Sequence, residues 1–502
     1  MLVDGKRGRG DRVNEQYLSK SLFMRGLQCH KSLYLQKHHP ELKDEIPASR
    51  EALFQSGTEV GVVAQGLFPG GTTIPYDPDT YDRQVALTLE AVAQGASTLY
   101  EAAFQFDNVF VKVDILNKGK DGWDIYEVKS STSIKDVYLP DAAVQYYVVK
   151  GSGLPVSRVF LVHINNQYVR EGDIEVGKLF SINDVTSEVR QIQDNVAGEL
   201  DTQKTMLRGA MPQVDIGPYC TDPYGCDFMG HCWGHIPDES VFTIRGSRSL
   251  PFTLYNRGII HLKDVPLHML SANQRLQVEA MLEKKIVISE EAVRGFLGSL
   301  WYPLYFLDFE TFGAPVPLFD GTRPYQQVPF QYSLHYLEHE DADLKHHEYL
   351  ADPKIDPREP LTGKLVSEIP NNACILAYYA GFEAGVLKGL AEWLPEYHDE
   401  IDTVLNNLRD LAVPFQKKSF YHWQFSGSYS LKYVLPALVP ELSYKDMEIQ
   451  DGDMAMQAYF RMREADDPGE IARLRSALLA YCRLDTLGMV RIIEKLRETA
   501  ED

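Results

Sequence analysis

The sequence predicts a mixed α/β protein built on two folded cores joined by a helical segment. Three observations predict it. The chain has 502 residues, more than one core ordinarily supports. Two stretches, about 98–164 and 301–393, pair short apolar strands with helical periodicity. Between them, residues 240–298 carry short helical patterns broken by turns at Arg257-Gly258 and Asp264-Val265-Pro266. The domain boundaries read from this are 1–238, 239–298 and 299–502.

In chain order, residues 15–66 read as helical, with Leu18, Leu22, Leu33 and Leu35 and few breakers. A hairpin follows, Leu99–Phe104 and Val109–Leu116, with Asp107-Asn108 at the turn. Trp123–Val128 is a strand, Asp141–Lys150 a helix and Val159–Ile164 a further strand. Residues 171–212 look helical and polar. After the helical segment come strands at Tyr305–Asp308, Phe330–Leu337 and Ala373–Tyr378. A helix from Glu383 to Trp393 and a long last helix from about Gly469 to Thr499 complete the reading.

The apolar fraction is 44% and the charged fraction 24%, values of a globular chain. No apolar run approaches the ~18 residues of a membrane span. Met1 to Arg12 is Gly- and charge-rich without an apolar core, so a cytoplasmic location is expected. The net charge of −21 argues against a broad nucleic-acid coat but leaves room for a local basic groove. Six cysteines, unevenly spaced, do not make a disulfide scaffold. The Gly-Lys pairs at Gly5, Gly119, Gly177 and Gly363 lack a following Ser or Thr, so no Walker A motor is present.

Asp308-Phe309-Glu310 ends an apolar strand. Residues two apart share a strand face, so both carboxylates point one way and Phe309 the other. Adjacent carboxylates repel unless a cation lies between them. On the last helix the apolar stripe runs through Ile471, Leu474, Leu478, Tyr481, Met489 and Ile492, and Asp485 falls on it. A buried carboxylate needs a partner or a metal. Tyr481 lies one turn before it. An Asp-x-Glu on the first strand with a Tyr-x-x-x-Asp on the last helix resembles motifs one and three of the DEDDy 3′–5′ exonucleases, in the DnaQ-like superfamily. That resemblance implies an RNase H-like fold. It implies two divalent ions, Mg²⁺ or Mn²⁺, about 3.5–4 Å apart. The matching motif two is Tyr379-Ala380-Gly381-Phe382-Glu383, where Tyr379 replaces Asn and Glu383 the usual Asp; Asp410 is the alternative ligand. Asp308, Glu310, Glu383 and Asp485 would hold the ions, and Tyr481 would orient or deprotonate the water. Phe309 and Phe312 are candidates for stacking on bases, and Lys432 in Ser430-Leu431-Lys432 for a strand contact. Cys374 and Cys482 read as packing residues.

In the first core, Asp114 ends one strand and Glu127-Val128-Lys129 the next, with Gln145 on the following helix. Two carboxylates can bind a metal, and a lysine on the same face can position water or offset charge. The pattern resembles the RecB-like PD-(D/E)XK, restriction-endonuclease-like core, with Glu101 a further acidic residue of that kind. Gly61 stands where the family has a His ligand, which Glu59 could replace. Cys29 precedes this core and Cys220, Cys226 and Cys232 follow it. This resembles the iron–sulfur RecB-like nucleases, whose four cysteines hold a [4Fe–4S] cluster that ties the ends of the domain together. Zinc is the alternative, though zinc sites ordinarily space their cysteines by two to four residues.

From about Tyr17 to Leu496 the chain is similar to a bacterial family that fuses these two nuclease modules. The resemblance implies a nuclease acting on nucleic acid, DNA before RNA, at a 3′ end or single strand. A separate helicase or defence-system partner would supply the motor. Two live sites is one reading. A single live exonuclease site, with the first domain an iron–sulfur binding platform, is the other.

Overall fold

The structure, a computed structural model, describes residues 17–45, 57–76 and 81–501; the reading of Met1–Arg12 lies outside them, as do parts of 15–66. The chain is mixed α/β and divides into two compact units. The first is Met1–His235 with Pro315–Pro324, and the second is Ile236–Ala314 with Tyr325–Asp502. Among the described residues no helix is long and apolar enough to cross a membrane.

The first unit runs β1 (Leu18–Ser19), α1 (Lys20–Gln28), α2 (His30–His38), α3 (57–64), β2 (Thr72–Thr73), α4 (Tyr81–Ala93), β3 (Thr98–Phe106), β4 (Val109–Lys118) and β5 (Trp123–Lys129). It continues with α5 (Tyr138–Gly151), β6 (Val156–Ile164), β7 (Phe180–Asp184) and α6 (Gln193–Arg208). The sheet order is β2-β3-β4-β5-β6-β7, with β1 beside β4. Asp107 and Asn108 take φ of 52° and 55°, the left-handed pair that a tight hairpin turn requires. The β5–β6 pair is parallel, and α5 supplies the crossover. Ala142, Ala143, Val144, Val148 and Val149 of α5 are buried against Leu99, Phe104, Val111, Ile125 and Val159 of the strands. The helix is apolar almost all round, so it lies inside the unit. It starts at Tyr138 rather than Asp141, which puts Asp141 within its first turn. The stretch 171–212 holds strand β7 before its helix; β7 is a polar edge strand, and Ile182 stays exposed.

The second unit begins with short turns of helix around Val241, Ile244, Leu254, Leu262, Val278 and Met281, which share a small core. Then come α7 (Ala272–Glu283), β8 (Ile286–Ile288), α8 (Glu290–Leu297), β9 (Leu304–Phe312), β10 (Val328–Leu337) and β11 (Lys345–Leu350). After these are α9 (Arg358–Glu368), β12 (Cys374–Ala377), α10 (Ala380–Trp393), α11 (His398–Asn407), β13 (Leu408–Asp410) and β14 (Phe420–His422). The last are α12 (Leu431–Leu438), α13 (Gly452–Glu464) and α14 (Pro468–Glu501). Ser271 opens α7 with a capping box closed by Gln274. The main sheet has the order β11-β10-β9-β12-β13. β10 is antiparallel to β9 and β11, whereas β12 runs parallel to β9 and β13.

Alternation along β9 sorts its side chains. Tyr305, Leu307 and Phe309 enter a core with Leu361 and Leu365 of α9, Val386 and Leu390 of α10 and Ile401 of α11. Phe306, Asp308, Glu310 and Phe312 take the opposite face by the strand period, where α14 packs. The expected base-stacking role of Phe309 and Phe312 is therefore overturned. Phe309 lies edge-on to Tyr332, and Phe312 stacks among Phe330, Tyr459 and Phe460. Both are buried, and neither ring has a free face for a base.

Candidate active site

The strand end of β9 and the middle of α14 build a carboxylate centre in the second unit. Asp308 is half-buried, and Glu310, Glu383 and Asp485 are buried. Each carboxyl is pushed above its ordinary range by burial, and Asp308, Glu310 and Glu383 also by neighbouring carboxylates. Asp485, Glu310 and Glu383 act on Asp308, and Asp485 and Glu383 act on Glu310. Asp485 is raised to about 7 by burial, with hydrogen bonds from Tyr444 and Tyr481 and the charge of Lys432 pulling back. Glu383 is raised to about 8 by burial and by Asp410 and Asp485. Among the described residues, none of the four carboxylates forms an ion pair with Lys or Arg. Glu383 Oε2 is buried with no hydrogen-bond partner.

Local folding positions these groups. Tyr379 takes φ of 63° at the start of α10 and thereby sets Glu383 in that helix's first turn. The left-handed conformation is uncommon for a bulky residue. Asp410, at the end of β13, accepts hydrogen bonds on Oδ1 from the Tyr379 and Ala412 backbone amides, at 3.1 and 2.9 Å. Its charge acts on Glu383. The α13 N-terminus adjoins the centre, since a Cβ on Gly452 would lie 3.7 Å from Glu310 Oε2.

Two residues escaped sequence reasoning. Tyr444, in the loop before α13, donates to Asp485 Oδ1 at 2.5 Å. Nothing in the sequence marks it, because it lies 41 residues from its partner. Cys482 was expected to pack, and it does more. It is fully buried, and its thiol donates to Asp308 Oδ2 at 3.5 Å. Single ligand atoms of Asp308, Glu310 and Cys482 all lie within 4.8 Å of one another.

Around this centre four aromatic rings stand partly in solvent: Tyr379, Phe382, Tyr429 and Tyr433, between 37% and 45% exposed. Tyr379 and Tyr429 lie 5.6 Å apart, and the Tyr378 hydroxyl fixes the Tyr429 carbonyl at 2.5 Å. Lys432, exposed at the start of α12, acts electrostatically on both Glu310 and Asp485.

The first unit brings Asp114, Glu127, Lys129 and Gln145 together and adds two residues, Lys20 and Asp141. Lys129 and Lys20 donate to Glu127 Oε1 at 2.7 and 2.5 Å, and Gln145 donates to Glu127 Oε2 at 2.6 Å. Both lysines also pair with Asp141. Burial would raise Glu127, but the two ammonium groups outweigh it and hold the carboxyl well below its ordinary value. Asp114 accepts from the Val128 amide at 2.7 Å and is pushed up to about 8, first by burial and then by Glu127. Glu101 instead pairs with Lys112 at 2.6 Å, and Glu59 is exposed on α3.

Cys29, Cys220, Cys226 and Cys232 line one pocket, together with Tyr219, Phe228 and Trp233. Burial pushes the Cys29 and Cys232 thiols up, and the other cysteines add to it. The surrounding loop is tied to α1 and its continuation. Arg25 and Lys43 pair with Asp227, and Gln28 donates to the Tyr219 and Tyr224 carbonyls.

A family model described as "Domain of unknown function (DUF2779)" matches residues 305–430. The match spans Asp308, Glu310 and Glu383 and ends before Tyr444, Tyr481 and Asp485. The chain is 26% identical over 223 residues to an uncharacterized protein of Mycoplasma pneumoniae, covering 40% of this chain and 34% of the relative. It is 24% identical over 207 residues to an uncharacterized protein of Mycoplasma genitalium, covering 38% and 31%. An uncharacterized protein of Ureaplasma parvum is 27% identical over 189 residues, covering 34% and 27%. The chain thus spans about a third or less of the length of these relatives.

Proposed function

We propose that the second unit is a metal-dependent nuclease with an RNase H-like core and a 3′–5′ exonuclease centre of the DEDDy type. The observation that carries this is four carboxylates gathered with no Lys or Arg ion pair among the described residues. Such a set is unstable by itself, and a divalent cation is the group that reverses the repulsion. The unpartnered Glu383 Oε2 fits a ligand awaiting that ion. Asp308, Glu310, Glu383 and Asp485 would hold it. When bound, the metal supplies a polarised phosphate and an activated water.

The chain's own residues do the rest. Tyr444 and Tyr481 donate to Asp485 and fix its rotamer. Burial and the nearby carboxylates push the Tyr481 phenol up in the metal-free protein, and beside a bound ion it would orient or deprotonate the water. Lys432 offers a cation to a phosphate arriving beside Glu310 and Asp485, and the exposed tyrosines offer stacking faces. Those faces favour an unpaired strand end, with DNA the expected nucleic acid and RNA the alternative.

For the first unit we propose a RecB-like PD-(D/E)XK core acting as a binding platform rather than a second live site. Its carboxylates are already answered by Lys20 and Lys129, and Lys20 holds a position that a cation ligand would need. We assign a [4Fe–4S] cluster to the four cysteines. Zinc sites ordinarily space their cysteines by two to four residues, whereas five separate Cys220 from Cys226 and five separate Cys226 from Cys232. Without a motor motif the protein would act at free ends or with a separate helicase, in the cytoplasm.

The test is hydrolysis of end-labelled single- and double-stranded DNA and RNA with Mn²⁺ or Mg²⁺. Wild-type protein should shorten strands from the 3′ end. Asp308→Asn should lower the rate at least about a hundredfold. Undiminished cleavage by that variant would place the chemistry in the first unit and overturn this reading.

A further inference from the structure

We propose that Cys482 is a ligand of the metal held at the second unit's centre, so that the site selects a thiophilic divalent ion such as Zn²⁺ or Co²⁺ over Mg²⁺. This rests on the metal-dependent reading above and adds the identity of the ion to it. An all-carboxylate set is indifferent between Mg²⁺ and Mn²⁺, whereas one sulfur donor moves the preference toward zinc and its neighbours.

Three observations carry the inference. The tightest grouping of ligand atoms in the centre comprises Asp308, Glu310 and Cys482, all within 4.8 Å, rather than Asp308, Glu310 and Asp485. Asp485 lies beside that grouping, with its Oδ1 engaged by Tyr444 at 2.5 Å and its charge acting on Asp308 and Glu310. Independently, Glu383 Oε2 is buried and unpartnered, and its carboxylate acts on both Asp308 and Glu310. It is the natural fourth donor, and three oxygens with one sulfur suit a four-coordinate ion. The geometry also explains a thiol where an apolar residue would pack as well. Sγ lies on the Asp308 side of α14 and donates to Oδ2 of that carboxylate at 3.5 Å. On binding, the thiol proton leaves to solvent and the sulfur takes the metal in its place.

Cobalt reads the sulfur directly. Full-length protein and Cys482→Ser are titrated anaerobically with Co²⁺, and their spectra are subtracted. Contributions from the four-cysteine site are common to both and cancel. The expected result is a near-ultraviolet sulfur-to-cobalt charge-transfer band in the difference spectrum. The variant should also bind Co²⁺ about 10- to 100-fold more weakly at this centre, with its affinity for Mg²⁺ unchanged. Asp308→Asn should remove the same band. A flat difference spectrum, with Co²⁺ bound equally by both proteins and lost in Asp308→Asn, overturns the thiol ligand and leaves the exonuclease reading standing. Co²⁺ bound equally by all three proteins overturns both. Cys482→Ala, run in parallel, guards against a serine that itself ligates, since it too must lose the band.

Discussion

The carboxylate centre should make the metal-free protein less stable than a variant lacking one of its charges. Asp308 and Glu310 place ligand oxygens within 4.8 Å of each other. At an effective dielectric constant of about 20, two unit charges at that distance repel by about 3 kcal/mol. Asp308→Asn removes the charge and keeps the shape, and its amide can still accept from Cys482. For a unit of this size each kcal/mol is worth about 2–4 °C, so relief of about 3 kcal/mol predicts a midpoint about 6–12 °C higher. The pH sets the window. Asp485 and Glu383 sit at about 7 and about 8 in the folded protein, above their ordinary 3.8 and 4.5. Their stabilising protonation is complete below about pH 4 and is lost as the pH climbs through 7 and 8. The comparison therefore belongs at pH 8, in chelator, by calorimetry that separates the two units' transitions. Saturating Mn²⁺ should then reverse the order, stabilising wild type by about 4.1 kcal/mol at a thousandfold excess over Kd and the variant far less. A variant that melts below wild type without metal would refute the reasoning, as would equal stabilisation of both by Mn²⁺.

Four further outcomes follow from named contacts. Lys20→Met should destabilise the first unit by about 2 kcal/mol in a denaturant titration, because Glu127 and Asp141 each lose a cation from a largely buried cluster; an unchanged midpoint would mean solvent already screens the pair. Lys432→Ala should raise KM for an oligonucleotide with little change in kcat, and should lower the salt slope of binding by about 1. Tyr379→Ala should weaken binding of an unpaired 3′ end by about 1–3 kcal/mol, measured by fluorescence of a base analogue, and should spare an abasic end. The buried His335 and the half-buried His346, held neutral to about 3 and about 4 by burial first, should cost the second unit about 1.4 kcal/mol each per pH unit as the pH falls below 6.5; His335→Gln should flatten that slope.

What the sequence revealed was governed by local rules. The Asp308-x-Glu310 pair could be placed on one face because strand alternation is strict, and Phe309 does turn into the opposite core. Tyr481 and Asp485 could be placed on a buried helical face because that stripe repeats over many turns, and both are buried. The Asp107-Asn108 turn was legible because few residues tolerate paired left-handed φ. What escaped depends on contacts distant in sequence. Lys20 meets Glu127 across 107 residues, and Tyr444 meets Asp485 across 41. Cys482 is buried as expected, and its contact with Asp308 escaped for a different reason. An apolar neighbourhood in the sequence does not tell whether a buried thiol faces a leucine or a carboxylate. The short strands β11 and β13 escaped because edge strands carry polar side chains and β13 spans only three residues.

The two carboxylate clusters answer the same physical problem in opposite ways, and the contrast bears on which of them does chemistry. In the first unit, Glu127 and Asp141 are neutralised by Lys20 and Lys129 within the protein, and a glutamine takes the remaining Glu127 oxygen. Folding supplies Glu127 and Asp141 with cations, so a dication added there would have to displace an ammonium. In the second unit the carboxylates face one another, with two tyrosine hydroxyls, a thiol and a more distant lysine as their company. That arrangement stores repulsion which a bound cation releases, so its affinity for a dication comes from the fold itself. Stored strain of this kind is characteristic of sites that must bind a ligand rather than merely hold a shape. The departure at Gly61, where the RecB-like pattern has a histidine ligand, belongs with the same argument. On the proposed reading, Lys20 stands in the first cluster where a metal would otherwise be held, and the second cluster has no Lys or Arg ion pair among the described residues.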